Sequence, residues 1–459
     1  MSFPRYPKYK ESGVEWLGEV PEHWKVCLLK RAFRSVDYGI SESLDGEGAV
    51  AILRMGNIEN GKIITDDLKY TKSVQPLLLL KRGDLLYNRT NSLDLIGKVG
   101  MFLGNEELPI SFASYLVRLR TVAESLPGFF AYLLNTDGIL GIARSNAFVA
   151  IGQCNLNPTR YGQITVAIPP LAEQSLIIAF LDRETAKIDG LVGEQRRLME
   201  LLKEKRQAVI SHAVTKGLNP HAPMKPSGIE WLGDVPNHWT ATPVKYVATV
   251  GNGSTPSREI PEYWAETGFP WLNSSVVNSA FVTEAEGFVT ERALQECHLP
   301  IVAPPAVLVG ITGQGRTRGM AAMLGIKATI NQHVAYVKPN TVKLDVQFLL
   351  RAFEMAYVKL RRDSEEAGAT KGAITCEQIG NLHIPFPPLS EQVTIVGFLN
   401  SEIAKFDLLT AEARRAIDLL QERRTALISA AVTGKIDVRG ISEGAGMRGA
   451  GAGKREEAA

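Results

Sequence analysis

Residues 169–189 read PPLAEQSLIIAFLDRETAKID, and residues 387–407 read PPLSEQVTIVGFLNSEIAKFD, with 12 of 21 positions identical. A second pair precedes them along the chain. Residues 12–24 read SGVEWLGEVPEHW and residues 227–239 read SGIEWLGDVPNHW, with ten of 13 positions identical. The offsets are 218 and 215 residues, so one long duplication runs through the chain. Two similar halves present two similar surfaces, which suits a target that is itself built from two parts.

The duplicated proline pairs mark the start of a long helix in each half. Proline breaks regular structure, and the residues that follow each pair contain almost no Gly or Pro and are rich in Leu, Ala, Glu, Lys and Arg. This composition predicts helices over residues 172–215 and 390–433. Glu173 and Glu391 fall in the first turn of these helices, where the helix dipole favours an acidic side chain.

Apolar residues in both predicted helices follow a heptad pattern. The pattern consists of Leu181, Ile188, Leu202 and Val209, with Ile177, Leu191 and Leu198 between them, and of Leu399, Phe406, Leu420 and Leu427 in the second helix. Gln195 and Lys205 are polar exceptions. A helix of about 40 residues is about 60 Å long and is marginal in isolation. We therefore expect the two helices to stabilise each other along these stripes.

The regions that precede the helices have a different texture. Residues 1–158 and 222–376 contain short β-rich runs, such as AVAILRM at 49–55 and PAVLVGIT at 305–312, punctuated by Gly, Asn and Pro. They are predicted to be compact α/β or mostly β domains, which makes the chain α+β overall. Residues 159–221 and 377–438 form the helical regions. The Gly- and Ala-rich residues 439–459 are predicted to be disordered.

Composition narrows the class of protein. The chain has 459 residues, 45% hydrophobic and 22% charged, which is typical of a soluble globular protein. A net charge of +2 argues neither for nor against nucleic acid. The four cysteines are scattered without a CxxC pair, which favours reduced thiols in the cytoplasm. The sequence shows no signal peptide and no apolar run long enough to span a membrane.

The sequence contains none of the common motifs for catalysis. The glycine-rich stretch at 313–319 is not GxGxxG because residue 318 is Arg, and no GxxxxGK[ST], HExxH or NPPY-like motif is present. His23 and His238 occupy equivalent positions beside tryptophans and are predicted to be structural. We therefore expect no catalytic residue, no bound metal and no cofactor in this chain.

Several loops pair a cation with amide and hydroxyl side chains, the groups that contact DNA. Arg can bind the O6/N7 edge of guanine, Asn and Gln the edge of adenine, and Ser, Thr and Lys the phosphates. The predicted DNA-binding residues are Arg54, Asn57, Asn88, Arg89, Asn91, Ser92, Lys98, Asn273, Ser274, Thr312, Gln314, Arg316, Arg318 and Gln332. Any one of these loops, taken alone, is better explained as a solvated loop. Their recurrence in both halves favours binding, since Arg89 and Arg316 each follow an apolar strand within a Gly/Asn/Ser/Thr loop.

The chain resembles the specificity (S) subunits of type I restriction-modification systems. The resemblance rests on the duplicated SG(V/I)EWLG(E/D)VPxHW, the NRTNSxDLIGKVG-like loop at 88–100 and the duplicated PPL(A/S)EQ helix openings, and it extends to about Gly440. It implies two target recognition domains, at 1–158 and 222–376, joined by two long antiparallel helices with internal pseudo-two-fold symmetry. Each domain would read half of a bipartite, gapped site in double-stranded DNA.

The resemblance also implies partners. The helices would set the gap and dock two methyltransferase (M) subunits, which use S-adenosylmethionine, while restriction (R) subunits would add ATP- and Mg²⁺-dependent cleavage. None of those cofactors would be bound by this chain.

Other interpretations of the residues remain open. The chain could be a coiled-coil scaffold that binds proteins only, a self-contained nuclease or methyltransferase with an unfamiliar site, or a specificity subunit that no longer assembles. Steeply salt-dependent DNA binding would separate the scaffold from a DNA reader.

Overall fold

The structure is a computed structural model that describes residues 3–441, apart from 43, 60, 105–107, 151, 314 and 367–371. Most of the predicted disordered tail, residues 442–459, lies outside the described residues. The chain divides into two compact units: unit 1 comprises Met1–Gln195 and Arg415–Ala459, and unit 2 comprises Arg196–Arg414. Each unit contains a globular part and a stretch of both long helices. The predicted segment boundaries, which separate the helices from the globular parts, stay a prediction.

Unit 1 combines short strands with helices. Its strands are β1 (Tyr9–Glu11), β2 (Glu19–Pro21), β3 (Lys25–Leu28), β4 (Phe33–Tyr38), β5 (Val50–Leu53), β6 (Ile58–Glu59), β7 (Lys62–Ile63), β8 (Lys69–Thr71), β9 (Leu85–Asn88), β10 (Thr90–Asn91), β11 (Val99–Met101), β12 (Ile110–Phe112), β13 (Leu116–Thr121), β14 (Phe148–Ala150), β15 (Gln153–Asn155) and β16 (Thr165–Ile168). Its helices are α1 (Pro127–Leu133), α2 (Asp137–Asn146), α3 (Pro158–Gly162) and the first part of α4 (Leu171–Lys216).

Unit 2 has the same kind of construction. Its strands are β17 (Met224–Pro226), β18 (Asp234–Pro236), β19 (Thr240–Pro243), β20 (Ala248–Asn252), β21 (Trp264–Ala265), β22 (Phe269–Leu272), β23 (Phe281–Val282), β24 (Gly287–Val289), β25 (Ala306–Gly310), β26 (Ala321–Leu324), β27 (Thr329–Ile330), β28 (Val334–Pro339) and β29 (His383–Phe386). Its helices are α5 (Glu291–Glu296), α6 (Val346–Glu366), α7 (Cys376–Asn381) and most of α8 (Leu389–Val432), whose last turns belong to unit 1.

The main sheets of the two units have similar strand arrangements. In unit 1 the order is β4-β13-β9-β11-β7-β6 beside β12-β5-β8, and in unit 2 it is β20-β28-β25-β26-β23 beside β21-β24-β22-β27. The central strands β5 and β25 are buried at every position. Their Val, Ile and Leu side chains fit the fully covered position of a central strand. The predicted α+β fold with two sheet-rich parts is confirmed.

Both long helices form where they are predicted, within one residue at each end. In each unit they pack along a buried stripe with heptad spacing. On α4 the stripe includes Leu181, Thr185, Ile188, Val192 and Leu202, and on α8 it includes Leu399, Ile403, Phe406, Ala413, Leu427 and Ala431. The prediction for Leu191 and Leu198 was wrong, because these side chains are 46% and 41% exposed. The buried stripe passes through Val192, one residue further along.

The helices run antiparallel within unit 1, since the amino end of α4 and the carboxyl end of α8 meet at one side chain. The buried Trp24 donates its indole N–H to Glu173 at 3.0 Å. A Cβ built on Gly434 would lie 3.4 Å from the same indole ring. Ten residues before Gly434 on the chain, Arg424 pairs with Asp189 at 3.0 Å.

Unit 2 repeats this junction with the two helices exchanged. Trp239 donates to Glu391 at 3.0 Å, and its ring lies 3.2 Å from a Cβ built on Gly217, just beyond α4. His238 contacts Glu391 at 2.8 Å, as His23 contacts its own helix glutamate in unit 1. The prediction that these histidines are structural is confirmed.

The glutamine of each PPL(A/S)EQ opening ties its helix to the loop before an earlier helix. Gln174 accepts a hydrogen bond from the backbone N–H of Leu126 at 2.7 Å and donates to the carbonyl of Glu124. Gln392 accepts from the N–H of Asp345 at 2.8 Å and donates to the carbonyl of Lys343. Both glutamine side chains are fully buried. The duplicated residues therefore make the same junction twice, which explains why the two copies are so alike.

Candidate nucleic-acid interface

Four loops of unit 1 converge at one edge of its sheets. The parallel strands β5 and β12 end in register at Leu53 and Phe112. β9 ends opposite the start of β13, with Asn88 facing Leu116, and β4 ends there as well, with Tyr38 facing Val117. We call the loops that follow, residues 39–42, 54–57, 89–98 and 113–115, the loop edge of unit 1.

Unit 2 has an equivalent loop edge, formed by residues 253–258, 273–278, 311–320 except 314, and 331–333. Its strands end in the matching registers: Leu272 faces Ile330, Gly310 faces Val334, and Asn252 faces Ala335. The loop hydrogen bonds match too. The N–H of residue 89 donates to the carbonyl of residue 115 at 3.0 Å, and the N–H of residue 311 donates to that of residue 333 at 3.0 Å.

A glycine holds the first loop close to its neighbour in each unit. A Cβ on Gly39 would lie 2.3 Å from the carbonyl oxygen of Phe112, and one on Gly253 would lie 1.7 Å from that of Ile330. No side chain fits at either position, so glycine is required for this close backbone approach. Tyr38-Gly39 and Asn252-Gly253 were the sequence signals for this loop, and the sequence analysis missed them.

Arg89 lies at the centre of the loop edge of unit 1. Its guanidinium carbon stands 5.1 Å from the centre of the Tyr38 ring, and one Nη donates to the carbonyl of Ser114 at 3.4 Å. Ser92, in the same loop, is exposed, and Lys98 at its far end is half-buried. Arg89, Ser92 and Lys98 are therefore brought together by one loop.

The other predicted residues of unit 1 use their polar groups mainly within the unit. Asn57 is 5% exposed and its amide is used internally: Oδ1 accepts from the N–H of Arg54 at 2.8 Å, and Nδ2 donates to the carbonyls of Ile64 and Asp66. Arg54 itself pairs with the exposed Asp67 at 3.0 Å.

Two further asparagines of unit 1 are buried. Asn91 accepts a hydrogen bond from the N–H of Ser92 at 2.8 Å. Asn88 is 1% exposed, and neither its Oδ1 nor its Nδ2 has a partner among the described residues. Neither amide is presented at the surface.

In unit 2 the first and third loops carry polar groups that contact the fourth loop. Thr312 lies 2.8 Å from Nδ1 of His333, and the exposed Gln332 accepts a hydrogen bond from Thr255. Asn273 caps the 3-10 helix Ser274–Asn278 by accepting from the N–H of Ser275 at 2.7 Å. Ser274 is half-buried in the same turn.

The prediction that Arg316 matches Arg89 is corrected by the third loop of unit 2. The matched hydrogen bonds make Ile311, and not Arg316, the counterpart of Arg89. Arg316 is exposed further along the loop. Arg318 is 5% exposed and forms an ion pair with Glu365, so its charge is partly neutralised within the unit. Gln314 lies outside the described residues.

The fold also brings to these edges residues that were not predicted from the sequence. Tyr38, whose ring lies near the Arg89 guanidinium, and Tyr115, whose carbonyl accepts the Arg89 N–H, are 49% and 44% exposed. In unit 2, Thr255 joins the site from the first loop and His333 from the fourth. Local sequence could not predict them, because they come together only through strand pairing between distant segments.

Other arginines of unit 1 are used inside the fold. Arg118 is fully buried and donates to Asp37 at 2.9 Å, while Arg120 forms two hydrogen bonds to Asp84 at 2.7 and 2.9 Å. The hydrogen bonds to Asp84 raise the pKa of Arg120. The basic side chains at the loop edge are therefore those of the loops themselves. Together with the neighbouring polar side chains they form a surface suited to base edges and phosphates.

Comparisons with known proteins agree with this arrangement. Residues 236–417 match the family model described as the type I restriction modification DNA specificity domain. The chain is 22% identical to the type I restriction enzyme EcoKI specificity subunit of Escherichia coli strain K12, over 93% of this chain and 92% of that protein.

Two solved structures share the fold. One, from a study of complex assembly and conformational transition of the type I R-M system, has a TM-score of 0.69 and 14% identity, covering 90% of this chain and 98% of that one. The HsdS subunit from Thermoanaerobacter tengcongensis has a TM-score of 0.52 and 15% identity, covering 91% of this chain and 98% of its own.

The duplicated fold and the family together define a DNA sequence-recognition subunit, a non-catalytic class of protein. The chain carries a type I restriction modification DNA specificity domain over residues 236–417 and is similar over most of its length to a specificity subunit of such a system. The interpretation as a scaffold for proteins alone is not favoured. Among the described residues, none of the helices has the length and apolar character that crossing a bilayer requires.

Proposed function

We propose that the chain reads a bipartite, gapped site in double-stranded DNA, with one loop edge on each half-site. The observation that carries the proposal is one backbone frame bearing two sets of side chains. At matched positions, Arg89 stands where unit 2 has Ile311, and Arg54 stands where it has Asn273. Equal frames with unequal side chains are what two different half-sites require.

Within this proposal the exposed and half-buried residues of the loops make the contacts. Arg89 reads a guanine edge in the first half-site, with Ser92 and Lys98 on phosphates. In the second, Gln332 reads adenine and Arg316 guanine, supported by Asn273, Ser274, Thr312 and Gln314. Asn57, Asn88, Asn91 and Arg318 shape the loops, and Arg54 contacts phosphate when it leaves its exposed partner Asp67.

The helices are proposed to dock two methyltransferase subunits. Exposed leucines at equivalent positions of the duplication support this. Leu191 and Leu409 are 46% and 44% exposed, and Leu201 and Leu419 are 52% and 56% exposed. Leucines repeated in both units offer two like surfaces to two copies of one partner. S-adenosylmethionine would be bound by those subunits, and ATP and Mg²⁺ by restriction subunits, in the cytoplasm.

Modified-base sequencing of the source genome tests the proposal first, because it maps the methylated motif. A gapped motif methylated on adenine is expected, and a continuous or unmethylated one would contradict the proposal. The duplex with that motif then serves as the probe for the chain assembled with its methyltransferase partner.

Arg89→Ala is expected to weaken binding by about 1–3 kcal/mol and to relax base preference in the first half-site only. Gln332→Ala is the matched variant in unit 2 and should act on the second half-site only. Binding to a panel of single-base variants measures both. Relaxed preference in the opposite half-site would refute the assignment of units to half-sites. If Arg89 instead contacts phosphate, binding falls evenly across sequences and the salt slope falls by about one.

A further inference from the structure

The hairpin of β14 and β15 lies outside the residues assigned above, and it carries a conspicuous apolar surface of unit 1. Phe148 is 71% exposed and Val149 is 64% exposed. Successive residues of a strand point to opposite faces, so exposure of both means that β14 is open on both faces. The hairpin therefore projects from the body of the unit.

Strand pairing connects this hairpin to the loop edge. The sheet order is β10-β15-β14, and β10 directly follows Arg89. Phe148 faces Asn155, which in turn faces Thr90, so the three side chains form one row across the sheet. The Asn155 amide donates to the Thr90 hydroxyl at 3.3 Å, which fixes its orientation while it stays only partly buried.

An exposed apolar edge strand is a liability for a soluble protein, and its place beside the loop edge indicates what covers it. A two-stranded ribbon fits the major groove of B-DNA. There, Phe contacts the methyl group of thymine, and Asn binds the N6/N7 edge of adenine. Facing side chains in a sheet have Cβ atoms about 5 Å apart, which suits the same base pair or its neighbour.

We propose that the β14–β15 hairpin enters the major groove of the first half-site, where Phe148 contacts a thymine methyl and Asn155 binds an adenine edge. This rests on the proposed function of unit 1 as a half-site reader. It makes an A·T pair in the first half-site a requirement.

Replacing thymines of the first half-site one at a time with deoxyuridine removes only the methyl group. The assembled complex is expected to lose about three- to tenfold in affinity at one such position. Phe148→Ala should bind the unmodified duplex about three- to tenfold more weakly and be insensitive, within twofold, to the same deoxyuridine. Leu77→Ala is the matched control, because Leu77 is 67% exposed in the 3-10 helix Pro76–Leu78, outside the loop edge, and should leave both affinities unchanged.

7-Deazaadenine, which lacks the N7 acceptor, tests Asn155 in the same way. Wild-type complex should lose about fivefold or more at one adenine, and Asn155→Ala should lose nothing further there. Circular dichroism of both variants checks that they fold as the wild type does.

Three results would overturn the inference. The first is a first half-site without an A·T pair, and the second is a deoxyuridine effect that persists unchanged in Phe148→Ala. The third is self-association of the protein that Phe148→Ala abolishes without altering base preference. Specific binding with any of these leaves the proposed function standing, whereas absence of sequence-specific binding by the assembled complex removes the proposed function itself.

Discussion

Replacing the buried glutamate at the start of α4 should destabilise the protein far more than replacing its duplicate at the start of α8. Glu173 is 6% exposed and accepts hydrogen bonds from the Tyr6 hydroxyl at 2.5 Å, from Trp24 at 3.0 Å and from the His23 ring at 2.7 Å. Glu391 is 32% exposed and has two partners, His238 and Trp239. The two glutamates thus form a comparison within one chain.

The expected magnitudes follow from these contacts. A hydrogen bond to a charged group contributes about 1.5–3 kcal/mol, and a buried donor left without a partner costs about 1–3 kcal/mol. Glu173→Ala leaves the Tyr6 hydroxyl and the Trp24 indole buried and unpaired, so we expect a loss of about 3–5 kcal/mol. The His238 side chain is 53% exposed, and the buried Trp239 indole keeps a second acceptor, Nε2 of His238, at 3.1 Å. Glu391→Ala should therefore cost only about 1–2 kcal/mol.

Calorimetric unfolding midpoints measure the difference. At about 2–4 °C per kcal/mol for a unit of this size, Glu173→Ala should lower the midpoint by about 10 °C and Glu391→Ala by about 4 °C. Glu22→Ala, at a 61% exposed glutamate, is the control and should change little. Equal losses for Glu173→Ala and Glu391→Ala would refute the reasoning, because burial and the third donor would then have no energetic consequence.

Three other outcomes are expected. Leu202→Glu should destabilise the helix pair by a few kcal/mol by burying an unpaired charge in the seam, whereas Leu201→Glu, at a 52% exposed neighbour, should not; equal thermal midpoints would mean that the assigned register is wrong. The pKa of Asp437 is lowered chiefly by its hydrogen bond to Arg439, so this pair stabilises the fold above the pKa of an unfolded Asp, about 3.9, and the stability is lost as the pH falls through the lower folded value. Asp437→Asn should therefore be less stable than wild type at pH 7, and the difference should vanish once the pH lies below the lowered folded pKa, as thermal melts at decreasing pH would reveal. Purified chain without its methyltransferase partner should neither methylate nor cleave DNA, and turnover that copurifies with this chain alone would contradict the non-catalytic class.

The long helices could be predicted from sequence almost to the residue, because proline pairs start them and composition sustains them. The stripe they bury was harder to predict. Thr185 is 4% exposed in the seam, where its hydroxyl donates to the Leu181 carbonyl at 2.7 Å within the helix. A polar residue can occupy the seam when its own helix satisfies it, and the apolar pattern is then broken. The predicted phase through Leu181, Ile188 and Leu202 was right, whereas Leu191 and Leu198 lie outside the buried stripe.

The loop edges were predictable only in part. Composition picked out Arg89 and Ser92, which the fold does present together. Composition could not predict that the Asn57 amide hydrogen-bonds to backbone groups or that Arg318 pairs with Glu365, because those partners lie in other segments of the chain. Convergence of the loops depends on the parallel pairing of β5 with β12, which no local pattern encodes.

A heptad stripe by itself does not say which turn of one helix belongs beside which turn of the other. Sliding α8 by seven residues along α4 would again set apolar positions against apolar positions. Arg424 with Asp189, and Arg206 with Asp407, occupy equivalent places in the duplication and pair at 3.0 and 3.7 Å. Each partly exposed pair is worth only about 0.2–1 kcal/mol. A slipped alignment would lose both pairs, so these four charges favour the observed register of the two helices over the slipped one.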